Sequence, residues 1–546
     1  MKMRALKSFT VYLVSLVFVF ASLALPAQAA EALKQPADRV FGDWRITQLG
    51  AEPSTLNPIT STDAYAGNID SYIYESLLKR DEKSRELVPI LAEKWEISAN
   101  HLMYTFHLKK NIKWTDGHAF TAKDILFSFE RIRDPKVDAA HLRNYYQDIE
   151  KVEALDDYTV RFHYRIPYFL ALEFCGGMPV VPAHMFKKGE DFNQHPIGRK
   201  PVGTGPYKLL HWETGKEIVL VRNEDYWGEK PAIDRIVYKV ITDQSVALQV
   251  LKQGGLDEIE LRPIQWEKQT QTRRFEENFQ KLAYYNPSFS YIGWNARRPI
   301  FSDKRVRRAM TMLVDRELIL KKILFGLGTI ISSPFYINSP EYDKNIKPYP
   351  YDPKAALELL KSAGWDYRPG GEVLQKDGKP FEFEFLLSSS SKFGEQLATM
   401  LQENLKEIGI TMSIRKLEWA VFVQRIEEHS FDACTMGWSL GWESDPYQIW
   451  HSSQAVDKGS NFVGFKSAEA DKLIEDARKE FDPDKRREMY YRFQQIVHDE
   501  QPYTFLFTNK ALVVVSRRFR NVEVYPLGLA PLYWWVPKEA QKYRDQ

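Results

Sequence analysis

Two cysteines, Cys175 and Cys434, are all that the 546 residues carry. That is too few for a disulfide scaffold, so the fold has to rest on apolar cores. The pair reads as buried thiols, although an oxidising compartment would also permit one bridge between them. Charge of one sign is lacking as well: 75 Lys and Arg against 73 Asp and Glu leave a formal charge of +2. No basic face is expected for nucleic acid or an anionic membrane. Beyond Leu25 no run is apolar enough to cross a membrane. Low-complexity tracts, charge blocks and internal repeats are also missing, and the chain reads as compact throughout.

The signatures of common enzyme chemistries are absent too. There is no Gly-x-Ser-x-Gly elbow, no Gly-x4-Gly-Lys-Ser/Thr phosphate loop and no His-Glu-x-x-His, and Gly326-Leu327-Gly328 lacks the third glycine of a dinucleotide fingerprint. The 11 histidines stand singly, with no pair at i, i+4. Neither a metal site nor a cofactor is expected from such spacing. Glu443 and Asp445 are paired acids, but acids this close also occur as capping and turn devices.

What is present begins at the N-terminus. Lys2, Arg4 and Lys7 precede an apolar stretch from Phe9 to Leu25, and Ala27-Gln28-Ala29 offers a small-residue cleavage site. The expectation is a signal peptide over residues 1–29. No cysteine follows the stretch, so no lipid anchor is expected and the mature protein is placed in the periplasm. The 14 Trp, 32 Phe and 28 Tyr suit generous cores or aromatic-lined pockets.

The periodicities are those of an α/β chain. Val160, Phe162 and Tyr164 alternate with polar residues as in a half-buried strand, and Thr121 with Asp124 caps a helix striped by Ile125, Phe129 and Ile132. Asp243 caps a helix that stops at Gly254-Gly255, Asp303 opens one bearing Val306, Ala309, Met310 and Leu313, and Asp352-Pro353 opens another ended by Gly364. Phe381 to Phe385, the helix striped by Leu397, Leu401 and Leu405, and Ile410 to Ile414 form a βαβ unit, which requires a parallel pair. A strand from Phe431 to Gly437 then leads into Trp438-Ser439-Leu440-Gly441-Trp442-Glu443-Ser444-Asp445-Pro446-Tyr447. Loops beyond the carboxyl ends of strands are where open α/β sheets bind ligands.

A set of motifs, in order, carries a resemblance: Pro53-Ser54-Thr55-Leu56-Asn57-Pro58, Leu91-Ala92-Glu93-Lys94-Trp95, Trp114-Thr115-Asp116-Gly117, Gly203-Thr204-Gly205-Pro206-Tyr207, Asn223-Glu224-Asp225-Tyr226-Trp227, Asp303-Lys304-Arg305-Val306-Arg307-Arg308-Ala309 and the Trp438 loop. Over nearly all its mature length the chain resembles the extracytoplasmic solute-binding proteins of peptide, dipeptide and nickel ABC importers. The resemblance implies an α/β, periplasmic binding protein-like fold, with two lobes built from three α/β domains, a hinge and an interlobe ligand cleft. Domain I would comprise 30–70, 200–286 and 511–546, domain II the insertion 71–199, and domain III the opposite lobe, 287–510. It further implies a monomeric, non-catalytic receptor that captures a short peptide through main-chain hydrogen bonds and hands it to membrane permease subunits. A metal chelate, haem, an opine or an oligosaccharide is the alternative cargo of this fold, and a periplasmic hydrolase is the reading from another class.

The same resemblance nominates contacts. Ser54 and Thr55 match a ligand-facing strand of the first lobe, and Trp438, Ser439, Leu440 and Gly441 match the segment lining the cleft from the other. Peptide binders of the family often carry Gly-Asp before the Pro of this loop, the Asp pairing with the peptide ammonium; here those positions read Gly441-Trp442. Either Glu443 or Asp445 reaches the ammonium from a shifted loop, or the ligand stacks on Trp442. Neutralising an anchoring Glu443 or Asp445 is expected to weaken binding by about 2 kcal/mol or more, whereas loss of binding only in Trp442→Ala, measured by titration, would favour stacking.

Overall fold

Strand Trp44–Leu49 runs parallel to Arg235–Val240 and pairs on its other side with Glu258–Glu260. Around this centre an eight-stranded mixed sheet is laid down in the order Phe279–Tyr285, Phe507–Ser516, Glu258–Glu260, Trp44–Leu49, Arg235–Val240, Glu217–Arg222 and Tyr207–Glu213, with Gly328–Ile330 paired to Phe507–Ser516. The computed structural model describes residues 32–367, 370–457 and 459–543. The signal-peptide reading of residues 1–29 lies outside them. Among the described residues no helix is long and apolar enough to cross a membrane.

Two further sheets of four and five strands carry much of the rest, and among the described residues there are also three smaller ones, of two or three strands each. The four-stranded one is antiparallel and joins Ala92–Ile97, Met103–Leu108, Thr159–Tyr164 and Ile149–Asp156 under helix Ala122–Arg133. The five-stranded one, in the order Thr411–Leu417, Glu382–Ser388, Ala433–Ser439, Ser288–Trp294, Tyr503–Phe505, contains the parallel pair that the βαβ pattern requires, with Phe383 opposite Met412. The chain passes directly between the large sheet and this one at 286–287 and at 506, and strand Gly328–Ile330 returns to the large sheet in between. The Leu506 N–H donates to the Ser290 carbonyl at 2.9 Å.

Local chemistry accounts for the element ends. Asp124 accepts from the Thr121 N–H at 2.9 Å, Asp243 from the Ser245 and Val246 N–H groups at 2.7 and 2.9 Å, and Asp352 from Ala355 at 3.0 Å. Each supplies an acceptor that a helix start lacks. Several recurrent motifs owe their form to one carboxylate. Glu75 accepts from Thr204 Oγ1 at 2.9 Å, Tyr226 Oη at 2.7 Å and Trp227 Nε1 at 2.9 Å, so the Gly203-to-Tyr207 and Asn223-to-Trp227 segments meet on it. Gly203 is required there: a Cβ would lie 1.8 Å from the Ile73 carbonyl oxygen.

The cysteines fall in separate cores, Cys175 in one built from residues between Leu49 and Tyr238 and Cys434 in one that packs on the five-stranded sheet. Both are reduced and buried, and burial pushes the Cys434 thiol up to about 12.

The large sheet has two unlike faces. Ile46, Val237, Ile259 and Leu512 pack on Ala247, Leu248 and Leu251 of helix Gln244–Lys252, while the alternate positions Arg45, Tyr238 and Glu258 point the other way. A buried clamp holds the strands in place. The Arg518 guanidinium bonds Asp257 through Nε at 2.8 Å and Nη2 at 2.6 Å and also pairs with Asp43. Asp257 in turn accepts from the Ile46 N–H at 2.9 Å. Arg518→Ala strands two buried carboxylates and should cost about 3–5 kcal/mol, read as a lowered midpoint in urea denaturation.

Candidate functional site

The polar face of the large sheet opens onto a cavity of 1620 Å³. Typical small-molecule pockets occupy roughly 300–1,000 Å³, so this one has room for an elongated guest. Its floor is set by period-two alternation: Arg45 and Thr47 from one strand, Glu258 and Glu260 from the next, and Tyr238 and Tyr284 from their neighbours. Leu324 and Leu327 come from the chain between strands Ser288–Trp294 and Glu382–Ser388, Phe393 from the helix after Glu382–Ser388, Lys79 to Glu82 from the hairpin of Leu78–Arg80 and Leu87–Pro89, and Leu527 to Tyr533 from the returning C-terminal segment. One wall is thus apolar and the floor is charged.

Several floor atoms lack partners. Arg45 Nη1 donates to Tyr72 Oη at 2.9 Å, but its Nε lies 3.5 Å from Glu258 Oε2 without a hydrogen bond between them. Tyr238 Oη and Gln35 Oε1, buried at the same cavity, are also without partners. Buried polar groups are rarely left so, and an arrangement of this kind is complete only when something polar enters. Burial raises the carboxyl pKa of Glu258, with Arg45 acting against the rise. It raises that of Glu260 as well. Glu260 is open to the cavity yet ringed by protein. Among the described residues no group of metal-ligating side chains converges at the cavity.

The residues nominated from sequence lie elsewhere. Ser54 and Thr55 are in an irregular segment between strand Trp44–Leu49 and helix Ala64–Ile73, where a strand was expected. The pairing that would make it one is replaced by a local turn: Thr55 Oγ1 accepts from the Asn57 N–H at 3.1 Å, and Leu56 bonds the Gly198 carbonyl at 2.8 Å. Trp438 is the last residue but one of the strand Ala433–Ser439, stacks on Phe462 at 5.5 Å and donates from Nε1 to Tyr503 Oη at 3.3 Å. Ser439 is paired in register with Ser288, and the Leu440 N–H bonds the Pro287 carbonyl at 2.8 Å. Gly441 is exposed. None of these residues, nor Trp442, Glu443 or Asp445, lines the cavity.

Trp442, Glu443 and Asp445 touch Arg80, Arg85 and Tyr168 on one side and Tyr336, Arg478 and Arg486 on the other. Trp442 lies under the Arg85 guanidinium at 4.8 Å and edge-on to Tyr336 at 5.9 Å. Glu443 is 3.8 Å from Arg80 and 3.7 Å from Arg486, and Arg80 itself borders the cavity. Asp445 pairs with Arg478 Nε at 2.9 Å and accepts from Tyr168 Oη at 2.9 Å. The Phe169 N–H reaches the Arg478 carbonyl at 2.9 Å. Both acids therefore have cationic partners already, and the loop joins the lobes. Sequence reading missed Arg45, Glu258 and Glu260. The available signal was the Glu-Ile-Glu alternation at 258–260, where a strand with one apolar face carries acids on the other.

Comparison with known proteins places these features. The family described as bacterial extracellular solute-binding proteins, family 5 Middle, matches residues 86–460. The oligopeptide-binding protein AppA of Bacillus subtilis is 32% identical over 98% of this chain and 99% of its own length. Its structure in complex with a nonapeptide superposes with a TM-score of 0.81, at 31% identity, covering 92% of this chain and 100% of that one. The periplasmic binding protein DppA from Helicobacter pylori, in complex with the peptide STSA, is 26% identical with a TM-score of 0.79, covering 91% of this chain and 99% of that one.

The contact from Tyr168 to Asp445 bridges the lobes without touching the cavity, so its loss should weaken every ligand alike. Tyr168→Phe removes one hydrogen bond to a charged acceptor, about 1.5 kcal/mol or roughly tenfold in affinity. Isothermal titration with chemically different ligands checks this; a loss confined to some of them would refute it.

Proposed function

We propose that this protein, which belongs to the bacterial extracellular solute-binding proteins of family 5, is the receptor of an ABC importer that captures short peptides between its lobes and delivers them to membrane permease subunits. The observation that carries the reading is the 1620 Å³ cavity with unpartnered buried polar atoms on its floor. An extended peptide offers a donor and an acceptor at each residue and can satisfy such atoms whatever its side chains. The peptide ammonium is placed against Glu258 and Glu260, and Arg262 and Lys510, which also line the cavity, supply positive charge for a carboxylate. Leu324, Leu327 and Phe393 cover apolar side chains.

The Trp438-to-Asp445 loop then has the task of closing. Lobe closure around the guest expels water and strengthens the charge pairs inside. The role proposed is binding without catalysis, by a monomer outside the cytoplasmic membrane. The peptide complexes of the AppA and DppA relatives support peptide as cargo.

Tryptophan fluorescence titration with peptides of two to nine residues should give saturable changes. If no peptide produces one, and native mass spectrometry finds a metal chelate, haem, opine or sugar bound to the purified protein, the reading fails. Glu260→Gln should weaken free-amine peptides by about tenfold or more and leave N-acetylated peptides unchanged. A pH dependence follows from the raised carboxyls. The ligand-free protein loses stability as pH climbs from the ordinary glutamate range through the raised values, because folding then opposes ionisation. A bound ammonium offsets that penalty, so affinity should fall as pH is lowered through the same window, and Glu260→Gln should flatten the profile.

A further inference from the structure

Histidine spacing along the chain gave no metal site, but helical spacing says nothing of side chains joined by tertiary folding. On the insertion, far in sequence from the cavity strands, Asp116 and His118 of the Asp116-Gly117 turn meet His184 of the short helical turn Ala183–Met185. One carboxylate oxygen of Asp116 is 3.2 Å from His118 Nδ1, and the other is 2.7 Å from His184 Nε2. The two imidazoles stack with centroids 3.9 Å apart and planes 24° from parallel. One ligand atom from each of the three residues lies within 4.8 Å of the others.

We propose that Asp116, His118 and His184 form a surface site for a single divalent transition-metal ion of the zinc, nickel, cobalt or copper class. Two imidazoles and one carboxylate suit borderline ions and not Mg²⁺ or Ca²⁺, which prefer all-oxygen shells. Metal bonds of about 2.0–2.2 Å to nitrogen and oxygen would replace the present contacts of Asp116 with the two imidazoles, so the three side chains reorient about the ion. Both segments are anchored for this. Trp114 Nε1, just before the Asp-Gly turn, donates to Asp124 Oδ2 at 3.4 Å, and the Ala183 N–H donates to Asp124 Oδ1 at 2.9 Å, so the Asp-Gly turn and the His184 turn are held beside one helix start. Three protein ligands leave at least one coordination position to water or to an outside donor, as in open sites. An ion here would pin together segments 68 residues apart in sequence.

The test is isothermal titration of the untagged mature protein with zinc chloride and nickel chloride, with calcium chloride as the hard-ion control. The expected result is one equivalent of zinc or nickel bound, no calcium, and affinity weakened at least tenfold in both His118→Ala and His184→Ala but not in His211→Ala. Metal should also raise the thermal midpoint of the wild type and not of the two site variants, and peptide titration of all variants confirms that they are folded. Wild-type affinity in either site variant, absence of one-equivalent binding, or equal binding of calcium would overturn the proposal.

Discussion

Arg518 between Asp43 and Asp257 is the constraint on which the site depends. Asp43 immediately precedes strand Trp44–Leu49 and Asp257 immediately precedes Glu258–Glu260, so one guanidinium fixes the relative height of the two strands that present Arg45 and Glu258. A slip of one residue in either would turn its charged face into the apolar core and its apolar face to the cavity. The clamp is supplied by the last part of the chain, directly after strand Phe507–Ser516 has returned to the large sheet. Its charges are buried, and the several hydrogen bonds they share offset the loss of water.

With the floor so fixed, the proposed function divides binding and closing between different residues. Glu258, Glu260 and Tyr238 lie on one sheet and face a cavity whose opposing wall is apolar. The Trp438-to-Asp445 loop engages the insertion through Arg80, Arg85 and Tyr168. Contacts that hold the lobes without touching the guest add the same free energy to every complex, and guest-specific selection stays with the cavity. A receptor of many peptides gains from that separation, since main-chain recognition already ignores side-chain identity.

Much of the fold was legible because it is written in local pattern. The helix of Asp352-Pro353, the parallel pair around Phe383 and Met412, and the alternating strand at Val160 to Tyr164 all follow from caps and periodicity, which act over a few residues. The motif set marked the family in the same way, and Glu75 shows why two of its segments have their form. The site was less legible. The Trp438 loop was found, as a loop after a strand, but its acids are spent on Arg478, Arg80 and Arg486, and no local pattern reveals a partner tens of residues away. Ser54 and Thr55 lack a neighbouring strand to pair with, which the sequence of that segment does not disclose.

The sequence by itself determined the α/β class, the element order, the absence of the common catalytic motifs and the resemblance to solute-binding proteins, since each depends on nearest-neighbour chemistry. Only the tertiary structure decided which charges face the cavity, which acids already have cationic partners, and that His118 and His184 meet at Asp116. These depend on where distant strands and turns are brought to rest, and through-space distance, on which Coulomb and hydrogen-bond energies depend, is a property of the folded chain alone.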